Sequence, residues 1–214
     1  MIKLKIGEHK CSIPNTWKEL KIKDYIKLMK IFKSYEGEVK VANEESEPTE
    51  KEKFNNIKLN AEVLAEFTGL SMDTIKNCKE REIAHCLGLM TKFLNTEVEK
   101  KEFGDKYSFK HKNKRYYFPI MGMKDSTFGD YIETAQLEML AKDSEAGKFG
   151  VVAEQIAILC REENEEYDDD KIKKKTRLFE DLTMDICWDF IFFLNKQIQH
   201  YSKNSQTYLK QTQH

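Results

Sequence analysis

The sequence predicts a predominantly helical α+β protein built as an internally duplicated unit, a β-hairpin followed by about three helices. Three observations carry this expectation. Ile2, Leu4 and Ile6 alternate with Lys3 and Lys5, the period of two that marks a half-buried strand. Leu4–Pro14 and Phe109–Pro119 align on their prolines, so that Leu4 meets Phe109, Lys5 meets Lys110, Lys10 meets Arg115 and Ile13 meets Phe118. Only three prolines and nine glycines occur in 214 residues, which suits helices. Internal similarity of this kind decides architecture before chemistry is considered.

The first hairpin turns at Gly7-Glu8, returns through Cys11 and Ile13, and ends at Pro14, which cannot donate to a ladder. Asn15 or Thr16 then offers a cap for a helix carrying Trp17, Leu20, Ile22, Tyr25, Ile26, Leu28, Met29 and Phe32. Residues 36–56 are acidic and nearly free of large apolar groups, and they read as a flexible insertion with no means of burying itself. A helix from about Leu59 to Phe67 ends at Gly69, and Ser71 opens a longer one through Ile75, Ile83, Met90 and Leu94.

The second copy begins with strands Tyr107–Lys110 and Arg115–Phe118, around a turn favoured by Asn113. Ser126 or Thr127 starts a helix through Tyr131, Leu137, Met139 and Leu140, and Phe149–Cys160 forms the next. A last helix from about Leu178 to Gln199 carries Trp188 and four phenylalanines or leucines after it, before a polar tail. Asp24-Tyr25-Ile26 and Asp130-Tyr131-Ile132 correspond one residue out of step, and each copy closes on Phe-Leu-Asn, at 93–95 and 193–195. The expected division is 1–100 and 101–214, two units of roughly 100 residues each.

Composition bounds the function. Lys and Arg total 36 against 37 Asp and Glu, so no global charge draws the chain to nucleic acid or to an acidic membrane. No apolar run reaches the ~18 residues of a membrane span, and the first ten residues lack a signal-peptide core. Cys11, Cys78, Cys86, Cys160 and Cys187 are scattered, without a CxxC pair, and read as buried free thiols.

Catalytic templates fail in turn. There is no GxxxxGK[ST], GxGxxG, HExxH or GxSxG, and the five histidines lie far apart. Neither a catalytic residue nor a cofactor or metal ligand is assigned. Glu162, Glu163, Glu165, Glu166 and Asp168-Asp169-Asp170 lack the alternating ligands and central Gly of a calcium loop, and read as a solvated loop. Lys110, Lys112, Lys114 and Arg115, with Tyr116, can contact phosphates and stack on bases, or can form the outer face of an exposed hairpin. Asp181, Asp185 and Asp189 lie four apart, either a partner-facing ridge or the wet side of the last helix. Trp17 and Trp188 read as core residues that can also anchor an interface. The candidate partner-binding residues are therefore Lys110, Lys112, Lys114, Arg115, Tyr116 and Trp188.

Stretches in both halves carry a resemblance. A short hairpin followed by IPNTWKELKIKDYIKLMK, and later YYFPIMGMKDSTFGDYIETAQ, AEQIAILCR and LFEDLTMDICWDFIFFLN, resemble small morphogenesis proteins of tailed bacteriophages in layout. The resemblance implies a non-catalytic structural protein of the tail or neck, located in the virion after synthesis in the bacterial cytoplasm. It implies other phage structural proteins as partners and an oligomeric assembled state, with neither membrane nor nucleic acid as the expected partner. The alternatives are a tail-assembly chaperone that leaves the virion and, behind it, a nucleic-acid-binding protein.

Overall fold

Gly7 and Glu8 close a two-residue turn between β1 (Ile2–Ile6) and β2 (His9–Ile13), with Gly7 at φ 58°, where a side chain would be strained. Leu4 pairs with Cys11 and Ile2 with Ile13, which puts the apolar residues on one face. Lys3 pairs with Ser12 and Lys5 with Lys10 on the other. Ile6 and Ile13 are fully buried, so the hairpin lies on the helices rather than standing alone. The structure is a computed structural model and describes residues 1–39, 47–99, 101–103, 107–120 and 126–211.

Thr16 precedes only a 3-10 turn, Trp17–Glu19, and α1 (Ile22–Ser34) starts later than expected. A distant segment sets that start. The Ile22 amide donates to Leu182 O at 2.8 Å and the Met184 amide donates to Leu20 O at 2.8 Å.

The expected insertion is corrected at its second half, because α2 spans Glu50–Thr68. Thr49 and Glu52 form a capping box that satisfies the first-turn amides, and Glu50 and Glu52 suit the positive end of the helix dipole. The rest of that expectation falls partly on 40–46, outside the described residues. Gly69 ends α2 in the left-handed conformation, as expected. The single helix expected after Ser71 is broken into α3 (Met72–Lys76) and α4 (Glu80–Leu94). At the break, the Asn77 side-chain amide donates back to Asp73 O at 2.9 Å and the Cys78 thiol to Thr74 O at 3.1 Å.

The second hairpin, β3 (Ser108–His111) and β4 (Lys114–Tyr117), turns through Lys112 and Asn113, both at positive φ. Its register pairs Lys110 with Arg115 and Phe109 with Tyr116, so the residues aligned in the sequence occupy equivalent positions in the two ladders. Beyond the hairpins, among the described residues, four helices follow in each half with different lengths, and the equivalence visible in the fold is that of the hairpins.

In the second half α5 (Phe128–Asp143) carries a Thr127–Asp130 capping box. A 3-10 turn, Gly147–Gly150, leads into α6 (Val152–Leu159), the most buried helix, with every residue but Glu154 inside. Asp168 caps α7 (Asp169–Phe179) by accepting from the Asp170 and Lys171 amides. The chain turns at Glu180–Thr183 before α8 (Met184–Gln211), so Leu178 belongs to α7 and the expected polar tail is helical through Gln211.

One hydrophobic core joins both halves: Ile6, Ile13, Leu64 and Phe93 belong to the same cluster as Phe118, Ile156, Phe179 and Phe193. Each fully buried side chain of this size stabilises by about 1.5–3 kcal/mol. No helix among the described residues is long and apolar enough to cross a membrane.

Candidate functional site

The second hairpin does bring the predicted cations together at one end of the molecule. Lys110 and Arg115 face each other across the ladder, both exposed, and Arg115 donates to Ser108 Oγ at 3.1 Å. Lys114 reaches Glu162 at 2.7 Å. Lys112, at the tip, stands 3.7 Å from Asp181, which also receives Lys23 at 2.8 Å and Lys21 at 3.1 Å. The hydrogen bonds from Lys23 and Lys21 hold the Asp181 carboxyl well below the usual carboxylate range. Burial, together with the nearby charge of Lys112, pushes the His111 imidazole down.

One candidate, Tyr116, is corrected, and Trp188 packs with the core aromatics as its residue type suggests. Tyr116 is 1% exposed and packs on Phe109 and Phe179 with ring centroids 5.5 Å and 4.8 Å away, because its place in the alternation is the core face of the strand. It cannot stack on a partner. Trp188 is half-buried among Trp17, Tyr25 and Phe149, 5.7, 6.3 and 5.3 Å away, and ties α8 to the start of the chain. Its Nε1 is buried without a hydrogen-bond partner among the described residues.

The aspartate stripe is corrected as well. Asp181 precedes α8, and Asp185 accepts from the Thr183 hydroxyl at 2.5 Å. Asp189 is 4% exposed and is held by Lys101 at 2.5 Å and the Tyr107 hydroxyl at 2.6 Å. Neither a ridge nor a wet face results. A signal was available in Asp189, since a carboxylate set within Trp188, Phe190, Ile191 and Phe192 must find partners when the helix is buried.

Sequence reasoning missed the strand-like contact beside β4. The Tyr117 amide donates to Arg161 O at 2.7 Å and the Arg161 amide returns the bond to Tyr117 O at 3.2 Å. Arg161 also pairs with Asp130, 1% exposed, at 2.5 Å and lies over the Tyr167 ring, whose hydroxyl donates to Glu133. Burial raises the Glu133 carboxyl, and nearby Asp169 and Asp130 add to that. Arg161 thus ties the hairpin to α5 through one backbone bridge and one ion pair.

The third feature is an apolar face of α5 left exposed among the described residues. On α5, Asp130, Leu137 and Ala141 are buried, while Ile132, Met139 and Leu140 are 41%, 68% and 62% exposed on another side. Single exposed apolar residues are ordinary, but three on one side of a 16-residue helix form a patch.

All five thiols are free; Cys86, Cys160 and Cys187 are buried as expected, and Cys11 and Cys78 only half-buried. Among the described residues no group of His, Cys, Asp or Glu is arranged to hold a metal ion. No protein-family model, curated protein or solved structure matches this chain.

Proposed function

We propose that this chain is a non-catalytic structural protein of a tailed-phage virion, assembling in the tail or neck through protein–protein contacts. The observation that carries the reading is the exposed apolar face of α5, Ile132, Met139 and Leu140, which stands apart from the face that the fold itself buries. Such a surface gains free energy when a neighbour covers it. Two separate hairpins with strand edges add a second means of contact. The resemblance to phage morphogenesis proteins supplies the setting: synthesis in the host cytoplasm, retention in the particle, other phage structural proteins as partners, and an oligomeric assembled state. The duplication of the whole unit belongs to the same proposal and is supported by the matching register of the hairpins.

The second reading is a tail-assembly chaperone, and the same α5 face favours it, since an apolar patch can hold an aggregation-prone partner transiently. Nucleic-acid binding is less supported, because Lys112 and Lys114 already meet Asp181 and Glu162. Quantitative mass spectrometry of purified particles separates the readings. Around a dozen copies or more per particle, a number that closed rings commonly require, supports the structural reading. Absence from particles despite abundance in infected cells overturns it in favour of the chaperone.

A further inference from the structure

The two hairpins share a register but not a neighbour. In a hairpin with a two-residue turn the pair flanking the turn exchanges hydrogen bonds, and the pattern alternates outward from there. His111 and Lys114 flank the second turn, so Tyr117, three residues along β4, points its amide and carbonyl away from the ladder. Arg161 takes both of those groups, and Glu162 beside it pairs with Lys114. Arg161 therefore bridges the outer edge of the second hairpin, with the acidic side chain of Glu162 beside it, before the chain turns at Glu163 and Asn164.

The equivalent position on the first hairpin is Ser12, since Ile6 and His9 flank that turn as His111 and Lys114 flank the other. Its amide and carbonyl point outward by the same alternation, as do those of Lys10. Neither residue makes a backbone hydrogen bond beyond the hairpin among the described residues. Ser12 is half-buried and Lys10 exposed. The adjoining face carries Lys3, Lys5 and Lys10, none of them ion-paired among the described residues. Lys5 lies directly opposite Lys10, a like-charge pair that a nearby carboxylate would relieve.

We propose that the outer edge of β2 is a docking site for an extended acidic segment of a partner protein. The segment adds as a strand through the Ser12 amide and carbonyl and sets carboxylates against Lys3, Lys5 and Lys10. Strand addition supplies affinity through backbone hydrogen bonds, and the lysine face supplies the preference for acid. The inference rests on the reading of the chain as an assembly protein and names the chemistry of one contact within it.

The probe is an acetylated, amidated peptide with the sequence of residues 161–167, Arg-Glu-Glu-Asn-Glu-Glu-Tyr, titrated into the full ¹⁵N-labelled chain. Saturable amide shifts centred on Lys10 and Ser12 are expected. They weaken when salt rises from about 0.1 M to about 1 M, which shortens the screening length from about 10 Å to about 3 Å. Ser12→Pro removes the outward donor and leaves the internal ladder intact, so it abolishes the shifts while circular dichroism and melting stay near the parent's. Lys5→Glu with Lys10→Glu weakens binding by about tenfold or more, because like charges are placed across the interface.

Shifts confined to the β4 edge, or none, overturn the proposal. Concentration-dependent self-association of the chain alone that Ser12→Pro removes also overturns it, by making a second copy the occupant. A chain that is retained in particles but ignores the peptide loses this inference and keeps the proposed function. A chain that binds the peptide but is absent from particles does the reverse.

Discussion

Replacing Asp130 with Ala removes two interactions at once from a side chain 1% exposed to solvent. One is the capping-box bond from the Thr127 amide at 2.7 Å, and the other is the ion pair with Arg161 at 2.5 Å. The Thr127 hydroxyl still accepts from the residue 130 amide, so losing the reciprocal arm of the box costs at most about 1 kcal/mol. Breaking a buried ion pair costs about 3–5 kcal/mol when the remaining charge stays buried. Arg161 keeps 21% of its side chain exposed and stays near the Tyr167 ring, so water relieves part of that penalty. The expected total is about 3 kcal/mol, a large share of the roughly 5–15 kcal/mol that holds a domain folded. Urea unfolding followed by circular dichroism reads it as a fall of about 1–1.5 M in midpoint with the slope unchanged, for a slope of about 2–3 kcal/mol/M. Combining Asp130→Ala with Arg161→Met gives a coupling of at least about 1 kcal/mol if the pair acts as described. A cost under about 0.5 kcal/mol for Asp130→Ala, within the range of surface substitutions, refutes the reasoning.

Three further outcomes follow from the same contacts. Burial raises the Tyr25 phenol to about 12, so the folded chain holds its proton where the unfolded chain, at 10.0, has lost it; stability falls as pH rises from 10 toward 12. Tyr25→Phe makes that alkaline limb shallower by the share of one phenol, read from melting temperatures across the window, and an unchanged slope contradicts the assignment. Asp181, lowered by its hydrogen bonds with Lys23 and Lys21, contributes stability that is present above the unfolded value of 3.8 and is lost as pH falls below it. Asp181→Asn therefore lowers stability at neutral pH and makes the acid limb shallower in a urea series from pH 5 downward. Met139→Ser with Leu140→Ser changes stability by no more than about 0.5 kcal/mol, yet lowers incorporation into particles. Leu137→Ala, on the buried side of the same helix, costs about 2–5 kcal/mol.

The hairpins were legible because alternation of period two needs no information from elsewhere in the chain, and Lys110, Arg115 and Lys112 fell where the pattern put them. Tyr116 was misjudged through its neighbours in sequence: Lys114 and Arg115 are exposed, but the next residue in a strand faces the opposite way. The start of α2 was legible in principle from Thr49 and Glu52, a capping signal set inside an acidic run that otherwise resembles an insertion. The start of α1 was not, since Leu182 and Met184 decide it from the far end of the chain.

The sequence by itself determined the helical α+β class, both hairpins with their turns, the Thr127 and Gly69 helix boundaries, and the free state of the five thiols. These depend on local periodicity, capping and spacing, each set within a few residues. Only the tertiary structure decided that one core serves both halves, that Asp189 is buried with Lys101 and Tyr107, and that Arg161 pairs with Tyr117 on the outer edge of the second hairpin. Those outcomes turn on which distant backbone groups and charges meet, and the free energy of such pairings belongs to the packed molecule rather than to any stretch of its chain.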